Sequence, residues 1–354
     1  MRLERLVARG FRNLADLDLA VPAAGMLLLG ENGQGKTNLL EALCYTVLCR
    51  SIRGAADAEL VQFAGTGFRV ATWGSGREVS AQWNTGERRK RIAVEGAEAG
   101  RLADAIGSWL AVAFLPGDVA LASGPAAGRR LYLDRLLALA DQRYLGALAR
   151  YRAALAQRNA ALRQGRGDLA SAFDQPLADA GSCIVRTRLA WVTRMEAAFE
   201  SELASLGERT SARLLYRGHP ELAHQEAWAA SLAEQLPRDI ARAATGMGPH
   251  RDDLRLMLDG RDLRTFGSTG QQRTAAVALR LLELRTLAED RGTEPALALD
   301  DVFAELDGER QERLAHRLLG GPERQVFLTA PRAQELPAGL ALPVWRVSGG
   351  RVAA

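Results

Sequence analysis

Three observations in the 354-residue sequence predict an α/β fold whose two ends build one head, with an α-helical arm lobe inserted between them. A short apolar strand near the N-terminus runs into a glycine-rich loop and then into helical spacing. A second apolar strand, ending in paired aspartates, lies near the C-terminus. Long helical periodicity fills the interval.

Residues 1–30 read as short strands. Leu3-Glu4-Arg5-Leu6-Val7 comes first, followed by an alternation that sets Leu17, Leu19 and Val21 against Asp16 and Asp18, and then by the apolar run Met26–Leu29. Helical spacing follows the loop, with Leu39, Leu40, Ala42, Leu43 and Val47 on Asn38–Leu48. Strands are expected at Phe68–Trp73, Val79–Trp83, Arg91–Val94 and Ala111–Leu115, before Pro116-Gly117 breaks the chain. From Arg129 to about Leu206 apolar residues recur at helical spacing, with one break at Gly165-Arg166-Gly167. That pattern predicts two long helices in an antiparallel hairpin. A strand at Ala212–Tyr216, a helix over Leu222–Thr245 and a turn-rich Gly246–Asp253 come next, then a hairpin around Asp259-Gly260. Helix at Gln271–Ala288, strand at Ala296–Leu299, helix at Gly308–Leu319 and strand at Gln325–Thr329 complete the pattern. The expected head is therefore 1–116 with 246–354, and the arm lobe is 117–245.

Composition narrows the class. At 47% hydrophobic and 25% charged the chain has the balance of a soluble globular protein. Its longest apolar runs are too short to span a bilayer, and Met1-Arg2-Leu3-Glu4-Arg5 leads into no signal core. Cys44, Cys49 and Cys183 show no metal-like spacing and read as reduced thiols in a cytoplasm. The net charge of +4 permits nucleic acid as a partner. Only two of the 46 basic residues, Lys36 and Lys90, are lysines, so an isolated arginine says little here and a lysine says more. Residues 128–164 carry eight Arg and two Asp, a net +6, whereas 168–207 carry three Arg and six acids, a net −3. Two readings stay open for the arm: helices with complementary solvated faces, or a basic face for DNA.

Gly30-Glu31-Asn32-Gly33-Gln34-Gly35-Lys36-Thr37 matches G-x-x-x-x-G-K-T, between a strand and a helix as that motif requires. Its glycines let backbone N–H groups curl around a phosphate, and the helix N-terminus adds its dipole. Lys36 would reach the β- and γ-phosphates of ATP, and the Thr37 hydroxyl would ligate Mg²⁺. Ala296-Leu297-Ala298-Leu299-Asp300 has the form of the strand whose terminal Asp helps hold that Mg²⁺, and Asp301 is placed to polarise an attacking water. Upstream, Ser268-Thr269-Gly270-Gln271 opens a helix. By itself this is an ordinary cap or an anion-binding N-terminus, with Ser268, Gly270 and Gln271 as the binding residues in the second case.

Taken in order, phosphate loop, insertion, Ser-x-Gly-Gln, apolar-Asp-Asp and Glu305-Leu306-Asp307 have the arrangement of an ABC-type ATPase head. The chain resembles the RecF family, bacterial recombination-repair relatives of the SMC proteins, over essentially its whole length. The resemblance rests on Phe11-Arg12-Asn13-Leu14, Gly30–Thr37, Arg129-Arg130 with Leu133-Asp134, Gly248-Pro249-His250-Arg251-Asp252-Asp253, Ser268–Arg273 and Leu299–Asp307. It implies an ABC/SMC-type P-loop head with a short helical arm, with Arg12 and Asn13 added to the nucleotide site. Two copies would sandwich two ATP molecules, the Ser268 segment of each closing on the γ-phosphate held by the other. It also implies an ATP-dependent homodimer that binds double-stranded DNA at gaps and junctions and acts with RecR and RecO to load RecA. A weak DNA-stimulated ATPase would work as a switch. Two departures from the ABC pattern stand out. Asp301 occupies a position where Glu is usual, which predicts weaker water activation. Thr329 stands where a His is usual, which makes the γ-phosphate sensor a hydroxyl. Phe114–Asp118 is the best match to a glutamine loop and contains no Gln.

Arg88-Arg89-Lys90-Arg91 is either a contact to the DNA backbone or a solvated hairpin, and Arg129-Arg130 at the arm entry has the same two readings. His250 reads by itself as a turn residue. Trp and Tyr show no base-stacking pattern. The alternative to a DNA-repair ATPase is the ATPase subunit of a membrane transporter, which the helical insertion, Asp301 and Thr329 oppose. A small-molecule kinase would leave the Ser-x-Gly-Gln segment without a role.

Overall fold

The computed structural model describes residues 2–303, 308–320, 324–336 and 341–354, so the expected Glu305-Leu306-Asp307 motif lies outside the described residues. The strands are β1 Leu3–Arg9, β2 Leu17–Ala20, β3 Gly25–Leu29, β4 Gly67–Gly74, β5 Arg77–Asn84, β6 Arg89–Val94, β7 Ala97–Glu98, β8 Ala111–Phe114, β9 Ala212–Arg217, β10 Asp253–Leu258, β11 Arg261–Asp262, β12 Ala296–Asp300, β13 Val326–Ala330, β14 Val344–Ser348 and β15 Arg351–Ala353. The longer helices are α1 Lys36–Leu48, α2 Ala126–Ala140, α3 Gln142–Arg163, α4 Asp174–Ser205, α5 Glu226–Arg242, α6 Thr269–Arg291 and α7 Gly308–Leu319.

The chain divides into two compact units. One comprises Met1–Asp118, Ser205–Gly207 and Glu283–Ala354, and the other Val119–Ala204 and Glu208–Leu282. The expected boundary at residue 246 is therefore displaced, because β10 pairs with β9 over Asp253–Leu258 and Ala212–Arg217 and ties the segment after 246 to the helical unit.

In the first unit, β14, β3, β13, β12 and β8 are parallel neighbours in that order, with β15 antiparallel on the edge. The central strands β12 and β13 are buried along their whole length, as strands covered on both faces must be. A second, antiparallel sheet runs β2-β1-β4-β5-β6-β7. The helix α1 buries apolar residues almost all round, and Tyr45 meets Phe11 and Phe68 edge-to-face at 6.0 and 5.4 Å. Buried Gln325 joins the sheets: its Nε2 donates to Leu3 O and Pro22 O, and its Oε1 accepts from Leu3 N, all at 2.8 Å.

In the second unit the first arm helix is two helices. Asp141 adopts an extended conformation, ends α2 and caps α3 by accepting from Arg143 N at 2.8 Å. The helices are joined by buried ion pairs. Arg158 reaches Asp174 and Asp239 at 2.9 and 2.7 Å, and Arg188 reaches Asp134 at 2.7 Å. Arg158 and Arg188 are thus neutralised within the unit.

Candidate nucleotide-binding site

The loop 30–35 leaves β3 and delivers Lys36 and Thr37 to the start of α1. Gly33 and Gly35 take left-handed φ values of 80° and 110°, and no side chain caps α1, so its first N–H groups stay available to an anion. Lys36 is 5% exposed, and its ammonium donates to Gly30 O at 2.6 Å and Glu31 O at 3.1 Å. These backbone contacts keep a desolvated cation hydrogen-bonded at the loop.

The parallel register sets Thr329 on β13 beside Asp300 on β12. Thr37 Oγ1 donates to Asp300 at 2.8 Å across 263 residues of sequence. Thr329 Oγ1 donates to Asp300 Oδ1 at 2.8 Å and accepts from the Asp301 N–H at 3.0 Å. Burial pushes both aspartate carboxyls above their usual range. Bonds from Thr329 and Thr37 oppose that at Asp300, and the Lys36 charge opposes it at Asp301. Asp301 has φ 46°, a left-handed conformation that short Asp tolerates far better than most residues.

A cleft of about 640 Å³ opens on these groups, lined by Lys36, Thr37, Asp300 and Asp301 together with Leu115–Asp118. The segment matched to a glutamine loop therefore lies on the cleft. Thr329 does not line it: its hydroxyl sits between the two aspartates.

Arg12 and Asn13 act on the loop's surroundings. Arg12 pairs with fully buried Glu41 of α1 at 3.0 Å, and Ser51 also donates to Glu41. Asn13 Nδ2 donates to Gly33 O at 3.3 Å. Arg53, which the sequence did not single out, also lines the cleft and donates to Asn38 Oδ1 at 3.1 Å. In a chain with 44 arginines nothing distinguishes it.

In the second unit, Ser268 and Gln271 form a reciprocal cap on α6. Ser268 Oγ accepts from Gln271 N at 3.2 Å, and Gln271 Oε1 accepts from Ser268 N at 3.0 Å. Ser268 is exposed and Gly270 half-buried.

The candidate DNA residues separate by partner. Arg129 is buried at 3% exposure, grips Asp253 bidentately at 2.8 and 3.0 Å and donates to Leu121 O and Gly124 O. It cannot also meet a phosphate backbone, and its DNA reading is corrected to a structural one. Arg130 donates to Asp252 O at 2.8 Å. Lys90 pairs with Asp57 at 2.7 Å and donates to Cys49 O, just past the end of α1, where a cation suits the helix dipole. Arg89 and Arg91 pair with Glu98 and Glu87 on exposed surface, and Arg88 occupies an exposed turn. The segment 248–253 is the polar centre of its own unit. Pro249 O accepts from Arg188 at 2.7 Å, His250 pairs with Tyr151 at 2.7 Å, and Tyr216 donates to Asp252.

A parallel sheet that sets a phosphate loop against an apolar-Asp-Asp strand defines an ABC-type ATPase head. The likeness to an SMC head bound to the C-winged helix domain of ScpA, with TM-score 0.57, 15% identity, and 100% of this chain and 96% of that one covered, supports the fold alone. No protein-family model matches the chain. Among curated proteins it is 37% identical to the DNA replication and repair protein RecF of Anaeromyxobacter sp. (strain Fw109-5), with 99% of both chains covered. It is 36% identical to the protein of that name from Frankia alni, again over 99% of both. Among solved structures, the recombination mediator protein RecF-ATP in the RecFOR pathway matches with TM-score 0.90 and 29% identity, over 99% of this chain and 96% of that one. The chain belongs to the RecF family of DNA replication and repair proteins. That assignment displaces the transporter reading. Among the described residues no helix is long and apolar enough to cross a membrane.

Proposed function

We propose that the chain is an ATP-switched DNA-binding protein of recombinational repair, acting at single-strand gaps and single/double-strand junctions to help load RecA. The observation that carries this reading is the convergence of Lys36, Thr37, Asp300 and Asp301 on one cleft at the phosphate loop. The solved RecF-ATP relative supports ATP as the nucleotide. Lys36 would exchange its loop carbonyls for phosphate oxygens. The Thr37 hydroxyl and Asp300 carboxylate are hard oxygen donors that already touch. They fit Mg²⁺, which takes few protein ligands and completes its shell with phosphates and water. Bound there, Mg²⁺ would neutralise charge developing on the phosphates. Asp301 would orient the attacking water, and Thr329 would hold both aspartates in place.

Two copies would close on two ATP molecules, with Ser268, Gly270 and Gln271 of each completing the other's site. The exposure of Ser268 at the start of α6 supports this, since a helix N-terminus suits a γ-phosphate. RecR and RecO are the proposed pathway partners, by family. Exposed Arg88, Arg89 and Arg91, together with half-buried Arg130, are the remaining candidates for DNA contact.

The test is light scattering with and without ATP and a gapped duplex. Wild type is expected to double in mass with ATP. Lys36→Met loses charged hydrogen bonds to phosphate, weakening ATP roughly 10- to 100-fold, and stays monomeric. Ser268→Arg binds ATP as a monomer but does not dimerise. ATP-driven dimerisation of Lys36→Met at wild-type affinity would refute the role of Lys36, and loss of ATP binding by Ser268→Arg monomers would refute that of Ser268.

A further inference from the structure

The phosphate loop is held from behind by a part of the chain that the proposed reaction does not use. Gln34 Oε1 accepts a hydrogen bond from the Gly349 N–H at 2.6 Å, and the Gly350 N–H donates to the Gln34 carbonyl at 2.9 Å. Gly349 and Gly350 make the turn between β14 and β15, with φ of 54° and 76°. The Gly350 carbonyl in turn accepts from Ala15 N at 2.9 Å, beside the Asn13 that holds Gly33 O. Three distant segments thus close one hydrogen-bonded bracket around the loop. The fit leaves no room for side chains: a Cβ on Gly350 would lie 2.0 Å from Asn13 O, and one on Gly30 would lie 2.2 Å from Val347 O. Gln34 does not line the cleft, although Gly33 and Gly35 on either side of it do.

We propose that Gln34 and the Gly349-Gly350 turn form a positioning latch, which sets the phosphate loop in its receiving shape before nucleotide arrives and couples nucleotide occupancy to the C-terminal hairpin. The inference rests on reading the cleft as the ATP site. A glycine-rich loop has much backbone freedom to lose, and that loss weakens binding if it is deferred until the ligand enters. Ordering the loop in advance removes this cost from association. Gln34 is in this view a positioning residue that never touches the nucleotide. By linkage, whatever factor the latch adds to ATP affinity, ATP returns to the latch.

The experiment uses the 354-residue chain as wild type, Gln34→Met and Gln34→Asn, the last too short to reach Gly349. ATP affinity is titrated with a fluorescent ATP analogue, and amide hydrogen exchange is followed with and without ATP. ATP is expected to slow exchange across β14 and β15 in wild type. Both variants are expected to bind about 3- to 10-fold more weakly, the range for one lost hydrogen bond. Their 33–36 amides should exchange faster without nucleotide, while β4 and β5 keep wild-type protection. Wild-type affinity with unchanged loop exchange in a folded variant overturns the latch. Loss of protection across β4 and β5 in both variants also overturns it, by making Gln34 a residue of general stability. A wild-type chain that binds no ATP would instead overturn the assignment of the cleft.

Discussion

Asp301 combines two constraints that the sequence shows only in part. Its carboxylate is one methylene shorter than the glutamate usual in ABC heads, and its backbone is left-handed at φ 46°. A longer side chain would reach further but fit this conformation less well, so the short acid suits the turn. Asp301→Asn keeps the shape and removes the proposed base. ATP hydrolysis is expected to fall about 10²- to 10⁴-fold while ATP affinity stays near wild type, measured by phosphate release and nucleotide titration. A variant hydrolysing at the wild-type rate would rule Asp301 out as the base. His250 gives a second residue-scale expectation. Burial lowers its pKa to about 4, with the Arg251 and Arg130 charges adding to the effect. The unfolded chain, with an ordinary histidine, binds the proton more readily. Stability from this group is therefore complete above about pH 6.5 and is lost as pH falls through 4, on the order of 3 kcal/mol in all. Buried Asp252, whose carboxyl is pushed up, works in the opposite sense at the acid end. His250→Gln should flatten the fall in denaturation midpoint between pH 7 and pH 4.5; an unchanged slope would assign the acid sensitivity elsewhere.

At the scale of elements, what was legible followed from local pattern. The strand, glycine loop and helix over Met26–Leu48 stand out because phosphate binding needs those residue types at that spacing, and β12 because an apolar run stops at paired aspartates. The break at Asp141 was hidden, since Leu137, Ala140, Tyr144 and Leu148 keep helical spacing straight through it. Asp141→Ala removes the cap of α3 and should lower unfolding free energy by about 1 kcal/mol in urea melts; no change would mean that packing alone sets the break. The hairpin β14–β15 was missed for a different reason. It is short and mostly exposed, its burial hardly alternates, and its importance lies in contacts with residues 13–15 and 34 that no local pattern encodes. Arg129 failed the same way. A buried bidentate pair with Asp253, 124 residues distant, looks in sequence like any other arginine in this arginine-rich chain.

For the whole molecule the expected behaviour is a cycle: ATP assembles the dimer on DNA, and hydrolysis releases it. Slowing chemistry without weakening ATP should therefore prolong assembly, and Asp301→Asn with ATP is expected to remain dimeric after wild type has returned to monomer. Release at the wild-type rate would show that hydrolysis does not time the cycle. The strand order carries one more consequence, for synthesis. The neighbours of β3, from residues 25–29, are β13 from 326–330 and β14 from 344–348. A nascent chain emerging from the ribosome carries its phosphate loop from the start but gains its first flanking strand only at 326–330 and its second only at 344–348. Closing that separation is entropically costly and slow. Chains terminated before residue 326 would thus hold the complete glycine-loop motif but lack both strands that flank β3.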